Sequence, residues 1–218
     1  MISFAPPLVL PLDIEKPRFL SRLSITTATH GNLPHWQQDG VTVFVTFRLA
    51  DSLPQDKLGK LRTERQEWLR LRSQTQNGCD LCEYDEVFSK KVEDWLDAGH
   101  GECILRDRDN RHIVEDSLLF GNGKVYRLYA FVVMPNHVHV VFMPFGDARV
   151  ADIIQKWKSI SSRKLNRRMQ RNGRVWMPEY FDRCIRNGEH FERAVRYTLR
   201  NDNKLAWSVF DEEVRRLE

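Results

Sequence analysis

The chain has 218 residues, of which 41% are hydrophobic and 29% charged, which suits one water-facing globular domain with an insertion or appendages. No apolar run approaches the roughly 20 residues of a membrane helix. The proline-broken start, Met1 to Leu12, lacks the basic lead and cleavage pattern of a signal peptide. Four cysteines do not suggest a disulfide framework, so a cytoplasmic protein without a membrane partner is expected.

Residues 1–38 are proline-rich and aperiodic and read as an N-terminal arm, either disordered or strand-capping, or a contact surface for a polyanion through Arg18, Arg22 and Trp36. Val41 to Leu49 alternates and is β-branched, which predicts a strand. Helical spacing follows over Asp56 to Ser73, Glu83 to Asp97 and Asp107 to Phe120. Val125 to Met134 and His137 to Met143 predict two strands joined tightly enough to force antiparallel pairing. Ala148 to Met169 reads as a long amphipathic helix, Val175 to Ile185 as a last strand, and Gly188 to Asn203 as a last helix. This order predicts an α+β fold, a ferredoxin-like split βαβ antiparallel sheet with helices on one face, a helical insertion and a C-terminal helix. The expected divisions are the arm, a core over 39–207 with an insertion at about 78–123, and a tail over 208–218.

Charge is spread unevenly: the net is +4, yet Ile153 to Pro178 holds no acidic residue. On the long helix Val150, Ile153, Ile154 and Trp157 share an inward arc. Lys156, Arg163, Arg167 and Arg174 share another, a rail of cations suited to a phosphate backbone. A solvated helix face would read similarly. His137 and His139 lie two apart on a strand, so both imidazoles point to one face and can share a metal ion. Alone, such a pair equally suits ordinary strand histidines. Cys79, Cys82, His100 and Cys103 have a spacing compatible with a structural zinc site, and equally with small core and loop cysteines.

The string Met134-Pro135-Asn136-His137-Val138-His139 resembles the signature of the REP-associated tyrosine transposases, a branch of the single-tyrosine HUH superfamily. Leu33 to Trp36, Val45 to Pro54, Asp97 to Cys103, Tyr126 to Leu128 and Trp176 to Arg186 are similar to further parts of that family. The resemblance spans most of residues 33–205. It implies that the two histidines bind a divalent cation and that a tyrosine on the last helix, here Tyr197, is the nucleophile. Helical periodicity places Phe191, Val195, Thr198 and Leu199 on the packed face, with Tyr197 off it and Asn201 one turn further on the same side. Asn201 is the expected third ligand and Asp202 its substitute should the helix shift. Histidine and oxygen donors point to Mg²⁺ or Mn²⁺. The family's Asn-Pro after the tyrosine helix is here Asn201-Asp202-Asn203-Lys204, so the turn must differ.

The implied activity is cutting and rejoining of single-stranded or hairpin DNA near palindromes through a 5′-phosphotyrosine, by a monomer or homodimer at the nucleoid. No G-x-x-x-x-G-K-[ST] loop is present, consistent with chemistry that needs no ATP. Two other readings stand beside it: a non-catalytic hairpin-binding protein of the same fold, and a metal-dependent hydrolase with a water nucleophile.

Overall fold

The computed structural model describes residues 8, 10–21, 27–30, 34–73, 88, 90–201 and 205–210. In chain order the elements are β1 (Thr27–His30), β2 (Pro34–Gln37), β3 (Val43–Arg48), α1 (Gln55–Ser73), α2 (Lys90–Asp97), α3 (Arg108–Leu119), β4 (Tyr126–Val133), β5 (His137–Pro144), α4 (Val150–Arg168), β6 (Phe181–Cys184), α5 (Gly188–Asn201) and β7 (Trp207–Ser208). β1 and β2 pair with each other; the main sheet is five-stranded, ordered β6-β3-β5-β4-β7 and antiparallel throughout. Leaving out the added β7, this is the strand order of the split βαβ plan.

Strand alternation divides the core in two. Val43, Val45 and Phe47 of β3 and Val138, Val140 and Phe142 of β5 face one side, where they meet Val114 and Leu118 of α3 and Val150, Ile153, Ile154 and Trp157 of α4. A bulge between Leu128 and Ala130 lets both Leu128 and Phe131 of β4 face that side. The buried Trp157 indole donates to the Tyr126 hydroxyl at 2.8 Å, and that hydroxyl donates to the Leu118 carbonyl at 2.6 Å, tying both helices to the sheet.

The other side carries Phe44, Tyr129, Val141 and Met143 under Phe191, Val195 and Leu199 of α5. Hence α3 and α4 share one face, while α5 covers the opposite one. An antiparallel β5 with apolar residues on both sides of the alternation needs a cover on each.

Three sequence expectations need correction. The helix packed on the sheet between β3 and β4 is α3, which falls inside the stretch read as insertion. The α1 helix instead joins α2 in a satellite cluster of Leu53, Leu61, Phe88, Val92 and Leu96, reached from the sheet by Phe181. The stretch before residue 38 is not all aperiodic: it contains the β1–β2 pair. Leu8, Leu10, Ile14 and Phe19 also pack on the α5 side of the core, and the Leu20 amide donates to the Ile185 carbonyl at 2.8 Å. Finally, ordered packing runs past 207, since Ser208 pairs with Ala130 and Phe210 is buried.

Candidate active site

The β4–β5 connection fixes the histidines. Its tip, Met134-Pro135-Asn136, is clamped from outside: the Leu49 amide donates to the Asn136 carbonyl at 2.9 Å and the Leu105 amide to the Pro135 carbonyl at 3.1 Å. The Asn136 side-chain nitrogen donates to the Leu96 and His100 carbonyls, each at 3.1 Å. This is the use of the Asp97-to-Cys103 segment. Its Gly101 has φ +89°, and a β-carbon there would meet the Asp51 backbone at 2.7 Å, so only glycine lets the turn close on Asp51.

The amide orientation of Asn136 decides a tautomer. Because its nitrogen faces two carbonyls, its oxygen faces His137 Nδ1 at 2.7 Å, and that nitrogen must carry the hydrogen. His137 Nε2 is therefore a lone pair. It points at His139 Nε2, 3.0 Å away. The β3–β5 register sets Thr46 opposite His139, which brings Thr46 Oγ1 to 2.8 Å from His139 Nδ1. If Nδ1 donates to Thr46, two lone pairs converge, a contact that a cation relieves. Two donors at right angles and about 2.1 Å from one ion stand about 3 Å apart, so the pair fits such an ion. Burial holds His137 neutral, with a pKa of about 3, and drives His139 well below the usual imidazole range.

Tyr197 reaches this pair from α5. Its ring centroid lies 5.3 Å from that of His139 and 5.9 Å from that of Phe44, which itself stacks on His139. The inward face of α5 is Phe191, Ala194, Val195, Thr198 and Leu199, close to the sequence expectation, and Tyr197 lies half-buried at its margin. Burial pushes its hydroxyl above the usual phenol range, the charges of Glu93 and Asp97 add to this, and a hydrogen bond with Asn201 acts against it.

Asn201 sits one turn on, as expected, but its amide nitrogen donates to the Tyr197 carbonyl at 2.9 Å. Asp202 and Lys204 lie outside the described residues. Among the described residues no group of three His, Cys, Asp or Glu stands together as a metal cluster. Asp97 comes nearest the pair, with Oδ1 3.8 Å from His137 Nε2.

The cationic rail is exposed but lies elsewhere. Lys156, Arg163, Arg167 and Arg174 are all exposed. However, α4 covers the Val138/Val140 face of β5, and His137 and His139 point to the other. The basic helix therefore does not lie beside the tyrosine. Helical periodicity fixed which residues of α4 face outward but carried nothing about which side of the sheet it would cover.

Other members of the basic block have structural partners. Arg168 bonds Asp109 at 2.5 Å, Arg171 bonds Glu102 at 2.8 Å, and Lys158 donates to the Met177, Pro178 and Glu179 carbonyls at 2.9–3.1 Å. Of the zinc candidates, Cys79 and Cys82 lie outside the described residues. Cys103 is buried with its thiol donating to the Gly99 carbonyl at 3.2 Å, and His100 Nε2 is 3.1 Å from Lys57 Nζ.

Sequence reasoning missed Glu93 and Asp97 of α2 and Thr46 of β3. Arg183 bonds Glu93 at 2.6 Å, with its guanidinium 5.0 Å above the Phe44 ring. Burial raises the Glu93 carboxyl above the usual range; Arg183 and a hydrogen bond from the Tyr197 side chain oppose that rise. A usable signal was present: Glu93 and Asp97 are four apart, hence on one helical flank, beside the apolar Val92 and Leu96.

Comparison with known proteins bears on this same region. Residues 117–198, from the end of α3 into α5, match the family described as "Transposase IS200 like". The chain is 28% identical over 83 residues to the REP-associated tyrosine transposase of Escherichia coli K12, an alignment covering 38% of this chain. It spans about half of that relative, 47% of its length. A solved structure of a REP-associated tyrosine transposase bound to a REP hairpin aligns with 86% of this chain and 87% of its own, at 14% identity and a TM-score of 0.46. The resemblance first carried by Met134 to His139 is thus shared by the segment that holds both histidines and Tyr197.

Proposed function

We propose that the protein is a transposase-type enzyme that cuts and rejoins single-stranded DNA beside hairpins, with Tyr197 as its nucleophile. The observation that carries this reading is the Tyr197 ring 5.3 Å from His139, whose Nε2 lies 3.0 Å from that of His137. A structural tyrosine has no need of two neutral, buried imidazoles held at cation-sharing distance by Asn136 and Thr46.

In the proposed reaction His137 and His139 hold Mg²⁺ or Mn²⁺, with Asn201 as a further oxygen donor. The bound cation would draw electron density from the scissile phosphate. Tyr197 attacks phosphorus and a 3′-hydroxyl leaves, forming a 5′-phosphotyrosine; a second 3′-hydroxyl reverses the step and joins new ends. The phosphodiester energy is kept in the covalent link, so no nucleotide is consumed. Lys156, Arg163, Arg167 and Arg174 contact backbone phosphates of the hairpin. Because they lie across the sheet from Tyr197, the strand passes around the β6 edge. A groove of about 480 Å³, with Ile154, Arg174, Trp176 and Tyr180 among its walls, borders that path. The described residues contain no helix long and apolar enough to cross a membrane, compatible with action on DNA in the cytoplasm as monomer or homodimer.

The test uses a pool of single-stranded oligonucleotides bearing a hairpin with randomised flanks, incubated with Mn²⁺ and run on a denaturing gel. Wild type is expected to form a covalent protein–DNA band and Tyr197→Phe to form none while still binding the pool. Binding without any band from wild type would favour a non-catalytic hairpin binder. Cutting by Tyr197→Phe would favour a water nucleophile.

A further inference from the structure

The end of α2 is tied to the histidine pair by the residue that orients the pair. Asn136 Nδ2 donates to the Leu96 carbonyl at 3.1 Å while its oxygen fixes the His137 ring. Asp97, the last residue of α2, follows Leu96 directly. Its carboxylate is thereby delivered to the same spot, with Oδ1 3.8 Å from His137 Nε2. That nitrogen is a lone pair, because Nδ1 carries the ring hydrogen and a ring only 1% exposed does not keep a second one. A carboxylate facing a lone pair is a repulsive contact. Among the described residues no donor reaches the Asp97 carboxylate, and His137 is its one neighbour at ion-pair distance. Glu93, one turn earlier, is by contrast paired with Arg183 at 2.6 Å. With His139 Nδ1 donating to Thr46, two ring nitrogens 3.0 Å apart and one carboxylate oxygen present lone pairs to one another. A shared cation turns that repulsion into attraction.

We propose that Asp97 is a ligand of the divalent cation shared by His137 and His139, and that this ion joins α2 to the sheet. The inference rests on the reading of the two histidines as a cation pair and is independent of Tyr197. Without an ion the three groups stand too far apart to form a metal cluster. Donors at right angles around Mg²⁺ or Mn²⁺ lie about 3 Å apart, so Oδ1 has to move in by roughly 1 Å. The Asp97 side chain is 47% exposed and ends a helix of the satellite cluster, so nothing packed around it opposes that shift. Hard cations take oxygen donors, and each anionic donor raises the affinity of such a site. Asp97 is therefore the donor that turns a histidine pair into a site for Mg²⁺ or Mn²⁺.

The test uses the full chain as wild type, Asp97→Asn, Asp97→Ala, Asp94→Asn and His139→Gln. Mn²⁺ binding is followed by calorimetry, the metal-free thermal midpoint by melting, and α2 by amide hydrogen exchange over residues 90–97. Both Asp97 variants are expected to melt like wild type without metal and to bind Mn²⁺ more than about tenfold more weakly. Even a residue that only orients a ligand carries about 10- to 100-fold. Asp94→Asn removes an exposed carboxylate of the same helix and should bind as wild type does. Saturating Mn²⁺ should slow exchange over 90–97 by about tenfold or more in wild type and leave it unchanged in Asp97→Asn. If Asp97→Asn binds Mn²⁺ within about tenfold of wild type while His139→Gln does not, the Asp97 assignment alone is overturned. It is overturned equally if Mn²⁺ binds wild type without slowing exchange over 90–97. A metal-free midpoint lowered in both Asp97 variants would make the carboxylate structural and overturn it too. If wild type binds no Mn²⁺, or His139→Gln binds it unchanged, the cation reading of the pair falls and takes this inference with it. None of these readouts involves cutting, so a failure of Tyr197 as nucleophile shows separately, in the covalent-band assay.

Discussion

His137 and His139 stay uncharged because burial removes the water that would stabilise an imidazolium. In the unfolded chain both titrate near the ordinary value of about 6.5. Their folded pKa values are depressed, so their contribution to stability is fully present above about pH 6.5. It is lost as the pH falls toward the folded value of about 3 for His137. Urea midpoints from pH 7 to 4 should fall with a slope approaching about 1.4 kcal/mol per pH unit for each histidine. His137→Gln should show a shallower slope, and an unchanged one would mean that His137 is already charged in the fold. Asn136 offers a second residue-scale check. Replacing it with alanine frees the His137 ring and strands the Leu96 and His100 carbonyls, at a cost of about 2–4 kcal/mol. Mn²⁺ affinity should drop roughly 10–100-fold, read by calorimetry. The histidines were legible in the sequence from strand alternation and a familiar string. Asn136's role was not, because it depends on carbonyls 36 and 40 residues away in the chain.

At the scale of elements, the strands that alternate sharply, β3, β4 and β5, were readable almost to the residue, as was the inward arc of α4. The β1–β2 pair was missed because four-residue strands among prolines and threonines leave too short a pattern to detect. The exchange of roles between α1 and α3 was missed for another reason: both show helical spacing, and only tertiary packing decides which lies on the sheet. Within α4, Lys158 falls in the stretch without acidic residues but is not one of the rail cations. Its ammonium instead caps three successive carbonyls of residues 177–179 and lies over the Phe47 and Tyr180 rings, pinning the chain that enters β6. Burial lowers its pKa to about 7, with Arg48 adding to the effect. The unfolded chain therefore holds this proton up to a pH near 10.4, while the folded chain sheds it near 7. This group makes folding more favourable as pH rises between those values. Lys158→Met should remove that part of the rise and lower stability by about 2–4 kcal/mol, because it leaves three carbonyls without their donor. Thermal melts at pH 6, 7.5 and 9 would check both, and identical wild-type and mutant pH slopes would contradict the assignment.

Across the whole molecule, two cores back onto one sheet and a third, smaller cluster stands beside it. The first two share β3, β4 and β5, so they should melt together. The satellite cluster of α1 and α2 joins the sheet through few buried side chains, Phe181 among them, and should open at lower free energy. Amide hydrogen exchange is expected to be faster over residues 55–73 and 90–97 than over β4 and β5, by at least tenfold; equal protection would make the molecule one cooperative unit. The placement of Glu93 and Asp97, beside Arg183 and His137, on that separable part gives the site two thresholds of failure. Gentle heating or a little urea would loosen α2 while the sheet still carries the histidines, Tyr197 and the cationic rail. Over that interval, on the proposed function, the protein would go on gripping DNA and stop cutting it, a molecule that holds a broken or unbroken strand without committing to either.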